Sequence, residues 1–430
     1  MSKLVGLYSE PRMLIKHPGY FDALMDSVGL THVLMLGYEL SPETAAKNPL
    51  PPGEEQYVPS PGNGDHRSFN QAMDIAHRKG LKVWVRAYGW QGNGGRFPEL
   101  CIQDMHHQPL SKVPELPYAF EQESIAFCPN YEPLNDYLMA VYAELATKYD
   151  AEGVNLAHCR YTAPSFFHNL FGCACKRCEV WAQEQGFDFD SMRRSVLAFW
   201  DRLHHLDART VHEVVKHGFG ILELMQWLGI DTGLINWFVF RSSVITHHLQ
   251  RFKMSTEQAA GRDIIFGFDS FPPTLSMLVG HSYPHALDWV DYISPNLTWV
   301  EAFILSTFSS YADLLCTWND GLDETDALQL VYRLSGYDQI AMPPNLDGLG
   351  VKTPDCEVNC QALPDIVELE MWRARMYNPG EVPSYPVIQG STWSPDIVQR
   401  LVRTAEHMGH DGIIFSGTGT EALLDYPGID

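Results

Sequence analysis

Short apolar runs alternate along this chain with longer stretches in which apolar residues recur every three or four positions. The first pattern is that of a strand buried on both faces, the second that of an amphipathic helix. The runs fall at 4–8, 32–38, 82–87, 154–161, 264–268, 290–294, 386–389 and 412–415. Between them the helical period covers 11–29, 65–79, 137–148, 190–260 and 395–408, with one break expected at 229–233. Residues 320–384 follow no period that fixes their order. Strands alternating with helices about eight times predict a (β/α)8 TIM barrel. No linker composition divides the chain, so the expectation is one barrel domain over residues 1–430 with elaborated loops at the C-terminal face.

Composition narrows the classes of function. With 45% apolar and 19% charged residues in a chain of 430, a large folded core is expected. A formal net charge of -23 argues against nucleic acid, because binding phosphates requires Lys and Arg. No stretch has the length of a transmembrane helix, and 4–8 is too short for a secretory segment. Nine cysteines without such a segment point to reduced thiols in a cytoplasm, not a disulfide framework. The 11 tryptophans suit stacking on sugars, though core packing accounts for most aromatic residues. Self-association into a homo-oligomer stays open.

The sharpest local signal is Cys173-Ala174-Cys175-Lys176-Arg177-Cys178, in the loop expected at 159–180 after the fourth strand. Three thiolates on one turn suit three corners of a tetrahedral Zn²⁺ site. The fourth corner has two candidates: Cys128, at the start of the preceding helix, and Cys159, at the end of the strand.

Phe127-Cys128-Pro129-Asn130, the helix ending near Tyr149, the strand and the C-x-C-x-x-C knuckle together resemble the zinc-bearing region of family 42 β-galactosidases. They are also similar to a wider set of uncharacterised glycosyl hydrolases. The specific likeness covers about a fifth of the chain and otherwise extends only to strand–helix rhythm. It implies a barrel glycoside hydrolase acting on a glycoside or oligosaccharide. It also implies a structural zinc held by Cys128, Cys173, Cys175 and Cys178. The family's acid/base does not carry over. Those galactosidases end this strand in Asn-Glu, and the wider set has Asp where Ala157 stands, whereas this strand offers Asn155, His158, Arg160 and Tyr161.

Glycosidic hydrolysis ordinarily needs two carboxyl groups across the scissile bond. The carboxylates expected at strand exits are Glu10, Glu39, Asp269 and Glu301, while Asp291 falls at the opposite, stability end of the barrel. Asp269, ahead of an aromatic-proline loop, is the first choice for catalysis and Glu39 the second. Arg86, Tyr88, Trp90, His158, Arg160 and Trp299 are the expected substrate-binding residues. Gly417-Thr418-Gly419 is a weak phosphate-loop candidate. The missing carboxylate on the fourth strand also admits a barrel that binds carbohydrate without catalysis. A third reading is a metal-dependent sugar isomerase or lyase, which needs His, Asp and Glu ligands converging inside the barrel.

Overall fold

The computed structural model describes residues 3–50, 66–92, 97–113, 116–121, 125–351, 360–390 and 392–417. Eight strands run parallel: β1 (Leu4–Ser9), β2 (His32–Met35), β3 (Lys82–Tyr88), β4 (Gly153–Ala157), β5 (Ile265–Ser270), β6 (Tyr292–Pro295), β7 (Val387–Gln389) and β8 (Gly412–Ser416). Their order is β6-β5-β4-β3-β2-β1-β8-β7. The ring closes where Tyr385 N–H donates to Ile293 O at 3.0 Å and Leu297 N–H to Val387 O at 2.9 Å. Helices surround the strands, which makes a (β/α)8 barrel.

Alternation along each strand sends every second side chain inward. Leu4, Leu34, Trp84, Tyr292, Val387 and Ile414 meet there as an apolar cluster distinct from the main core. Trp84 and Tyr292 stack with centroids 4.4 Å apart, and the two rings need space beside them. The pairing register supplies it by setting Gly153 opposite Trp84 and Gly267 opposite Tyr292. A Cβ on Gly153 would lie 2.8 Å from the Trp84 ring, and one on Gly267 would lie 2.5 Å from both the ring and the backbone oxygen of Tyr292. Large and small residues thus fill the barrel in layers.

Several boundaries differ from those the periodicity predicts. β2 stops at Met35 instead of continuing to Tyr38, and Gly37 (φ 92°) turns the chain outward. β4 stops at Ala157, followed by His158 in the left-handed region (φ 54°). The first helix is two, Pro11–Lys16 and Pro18–Val28, because Pro18 cannot donate to the preceding turn. The stretch 190–260 holds four helices: Phe189–Leu203, Ala208–His217, Ile221–Leu228 and Thr232–Ala260. Asp207 and Asp231 start two of them by accepting from backbone N–H groups, so the breaks are capped ends that an apolar count overlooks. Residues 320–384 include the helices Glu324–Ser335, Leu346–Leu349 and Leu363–Tyr377. The helix Lys176–Glu184 begins inside the cysteine knuckle. No described helix is long and apolar enough to cross a membrane.

The interior layering is testable at Gly267. Gly267→Ala is expected to lower stability by about 1–3 kcal/mol, because the Tyr292 backbone cannot retreat as a flexible side chain would. A thermal melt as high as that of the natural protein would contradict the packing.

Candidate active site and metal centre

Two positions above the tight Gly267 layer, the next inward side chain of β5 is Asp269, only 3% exposed. Four donors converge on it. Tyr8 Oη (2.7 Å, β1), Asn155 Nδ2 (3.0 Å, β4) and Ser294 Oγ (2.9 Å, β6) reach Oδ1. Arg86 Nη2 from β3 reaches Oδ2 at 2.9 Å. The Arg86 guanidinium lies 4.1 Å from the centre of the Tyr8 ring and 5.8 Å from that of Tyr88. Burial and then the Asp269 charge raise the Tyr8 pKa, so this phenol is a hydrogen-bond donor at neutral pH. Burial opposes the Arg86 charge, but Asp269, Tyr8 and Tyr88 outweigh it and raise its pKa.

At the end of β4, His158 presents an imidazole whose side chain is 26% exposed and whose ring centroid is 5.2 Å from that of Tyr88. Burial and then the Arg160 charge push its pKa down to about 3, which leaves it neutral over the physiological range. Arg160 forms a two-toothed pair with Glu121 (2.9 and 2.6 Å) and lies against the rings of Phe271 (4.9 Å) and Phe303 (5.4 Å). Glu121 also accepts from Ala163 N–H at 2.9 Å. Burial alone would raise its pKa, but Arg160 reverses the shift and lowers it. Glu121 was not among the sequence candidates. It comes from the long connection between β3 and the helix Glu132–Lys148, where no period marks it; the loop's unusual length is its only signal.

The remaining expected residues disperse. Glu39 is held through its backbone by Tyr149 Oη and Lys148 Nζ, at the end of the Glu132–Lys148 helix that precedes β4, and none of the described donors on Asp269 comes from its segment. The outward turn at Gly37 carries it to the helix layer, along with Tyr38, which packs near Phe69. Trp90 is also not a cleft ring. It is fully buried, donates to Asn135 Oδ1 at 2.8 Å and packs against Phe252. Two residues past the end of β3, strand alternation no longer sets its direction. Trp299 lies 50% exposed beyond β6. Glu10 is paired with Arg12 at the surface, and Asp291 binds Lys253 and the Phe266 N–H at the start of β6. Thr418, Gly419 and the side chain of Glu301 lie outside the described residues.

On the outer side of the β4 exit, Cys128, Cys173, Cys175 and Cys178 are buried, with their sulfurs all within 4.8 Å of one another. Cys128 Sγ is 3.5 Å from both Cys175 Sγ and Cys178 Sγ. A tetrahedron with Zn–S bonds of about 2.3 Å has edges of about 3.8 Å, so the donor set fits a metal of that size. Cys159 is not in this group. It is buried beside Gly89, and its carbonyl accepts from His281 at 3.1 Å. Asn130 Nδ2 donates to Cys178 Sγ at 3.4 Å, while its Oδ1 faces His248 Nε2 at 2.9 Å. Such outer partners orient ligands in metal sites.

No protein-family model and no curated protein sequence matches the chain. Solved structures of glycoside hydrolases do resemble it in fold. The catalytic domain of a β-amylase from Paenibacillus polymyxa aligns over 98% of this chain and 97% of its own, with TM-score 0.50 and 10% identity. A β-galactosidase from Marinomonas ef1 aligns over 97% of this chain and 76% of its own, with TM-score 0.36 and 10% identity. An α-amylase from Lactobacillus plantarum aligns over 99% and 75%, with TM-score 0.42 and 10% identity. The first likeness establishes the barrel fold, and the two looser ones carry no further argument.

Two measurements probe these sites. Cys128→Ser should strip bound metal from the purified protein and Cys159→Ser should not; the reverse result, by elemental analysis, would reassign the fourth ligand. The second concerns His281, whose Nδ1 accepts from Phe271 N–H (3.0 Å) and whose Nε2–H donates to Cys159 O, an arrangement that requires neutral imidazole. Burial pushes its pKa down to about 3. The unfolded chain takes up this proton near pH 6.5, so the contribution is complete above that pH and is lost as pH falls towards 3. At pH 4.5 the loss is roughly 2–3 kcal/mol, and His281→Gln should flatten this part of the stability–pH curve. An unchanged slope in the variant would refute the assignment.

Proposed function

We propose that this protein hydrolyses a glycosidic bond at the C-terminal face of its barrel, with Asp269 as the principal carboxylate and Glu121, in place of Glu39, as the second. The carrying observation is that Asp269 stands with Arg86 among the inward side chains at the strand ends, while Glu121 Oε1 lies 3.8 Å from Nδ1 of the partly exposed His158 imidazole. Around them stand Arg86, Arg160 and the rings of Tyr88, Phe271 and Phe303. Asp269 Oδ2, bound by Arg86 alone among the described donors, is the oxygen to attack or stabilise an anomeric centre. His158 Nδ1 faces Arg160 Nη2 at 3.5 Å, which favours the tautomer with Nε2–H free to donate to a sugar hydroxyl.

The same reading includes a structural Zn²⁺ at the four cysteines, since four thiolates leave no position for water or substrate. A reducing, cytoplasmic setting accords with the eight described cysteines being outside any disulfide. The isomerase or lyase reading lacks support, because the metal-ligating residues that converge among the described ones are these thiols.

A second reading has its own observation. Each carboxylate already neutralises a guanidinium, Asp269 with Arg86 and Glu121 with Arg160, as in a barrel that binds sugars without cleaving them. A panel of glycosides assayed with the natural protein, Asp269→Asn, Glu121→Gln and His158→Gln separates the two. Hydrolysis predicts at least about a thousandfold loss of kcat in Asp269→Asn, or ~4 kcal/mol, and chiefly a raised KM in His158→Gln. Asp269→Asn also unpairs Arg86, so a melting curve must accompany its kinetics. Full activity in both carboxylate variants would overturn the assignment of Asp269 and Glu121 as the catalytic pair. Sugar binding without turnover by the natural protein would establish the binding role.

A further inference from the structure

Arg241, in the middle of the helix Thr232–Ala260, is fully buried. Nη1 donates to Leu278 O at 2.8 Å and Nη2 to Asn169 O at 3.0 Å, while Nε has no hydrogen-bond partner. The guanidinium lies 4.2 Å from the centre of the Tyr161 ring. Among the described residues no carboxylate pairs with it, in contrast to Arg86, Arg160 and Arg373, each of which has one. Two carbonyl dipoles and a ring face do not neutralise a full charge taken out of water.

The missing negative charge is close by. The Asn169 carbonyl that Arg241 holds also accepts from Gly172 N–H at 3.2 Å, and Gly172 is the residue immediately before Cys173. Four thiolates around a divalent ion leave a net charge of about minus two. That charge, buried among apolar residues, needs a cation in the same low-dielectric region, where attraction is strongest. The two cations within the knuckle do not serve. Lys176 is 75% exposed and pairs with Glu179, while Arg177 stacks 5.0 Å from the Tyr131 ring and donates to Glu99 O. The Thr232–Ala260 helix, by contrast, sends several polar groups to this region. Trp237 Nε1 donates to Leu170 O at 2.8 Å, and His248, two turns beyond Arg241, meets the Asn130 that holds Cys178.

We propose that Arg241 is the counter-ion of a dianionic tetrathiolate metal centre, supplied from a helix that contributes no ligand. The assignment rests on the four cysteines holding a divalent metal and extends that reading to the residue that balances its charge. Arg241 is a positioning and charge-balancing residue, outside the carbohydrate cleft.

The test measures metal affinity directly, by competition with a coloured chelator for Zn²⁺ and by the absorption of the Co²⁺-substituted protein. The natural chain should hold one ion and show sulfur-to-cobalt charge-transfer bands. Arg241→Gln, which keeps a donor but removes the charge, should weaken affinity about 10–100-fold. Arg241→Lys, which keeps the charge but cannot span both carbonyls, should stay within about threefold of the natural affinity. Trp237→Phe removes a hydrogen bond from the same helix and should change affinity little. If the natural chain binds no metal, the metal reading itself fails. If it binds metal and Arg241→Gln binds equally well, the counter-ion role alone is overturned. Equal losses in Arg241→Gln and Trp237→Phe, or in Arg241→Gln and Arg241→Lys, would likewise overturn it by showing loss of helix packing. Should Arg241→Gln not fold, the Arg241→Lys affinity decides: retention supports the charge role and loss refutes it.

Discussion

One carboxylate ties the barrel's interior together. Asp269 on β5 accepts from side chains of β1, β3, β4 and β6, so strands distant in sequence meet through a single acceptor. Below it the barrel is filled by the Trp84–Tyr292 stack and the glycines that admit it. Above it the polar rim opens. The layer in between has to neutralise Arg86, whose burial would be costly without a partner. Asp269 therefore serves the fold whatever else it does, and any chemistry assigned to it shares a residue with stability. Functional sites commonly combine such demands.

The rim and the cysteine cluster are two sides of one piece of chain. Phe120, Glu121, Ala126 and Cys128 lie against residues between Arg160 and Cys178. Ala126 N–H donates to Thr162 Oγ1, Phe120 N–H to Ser165 Oγ, and Ala163 N–H to Glu121. The Glu121–Arg160 pair occupies the cleft end of this clasp and the four thiols its outer end. A metal at the thiols would fix both loops where they leave the barrel. A site carried on loops gains precision when its supports are held in this way.

The buried histidines follow a common rule. His281 and His248 each have one ring nitrogen facing a donor and the other facing an acceptor, and burial lowers the pKa of both to about 3. They work as neutral connectors between backbone and side chains. His158 shares the low pKa but keeps a partly open face, which separates it from them as a candidate for ligand contact.

Local pattern was enough to read the eight strands, most helices and the three-cysteine knuckle, because apolar period and ligand spacing are encoded within a few neighbouring residues. The same pattern put Arg86 and Tyr88 on one face of β3, since alternation holds while the strand lasts. Beyond a strand's last paired residue that guide fails. After β2, Gly37 at positive φ redirects the chain and the Glu39 backbone is held by Tyr149 and Lys148, while Trp90, two residues past β3, is buried against Asn135 and Phe252. Glu121 reaches Arg160 from 39 residues away, and nothing near it in sequence announces the pair. Between Cys128 and Cys159 proximity along the chain favoured Cys159 and the family resemblance favoured Cys128, and in the fold it is the Cys128 sulfur that lies with the other three. Periodicity reports which face of an element is apolar. Which polar groups meet depends on where loops return, and that is settled only when burial forces every charge, Arg86 and Arg241 among them, to find its partner in three dimensions.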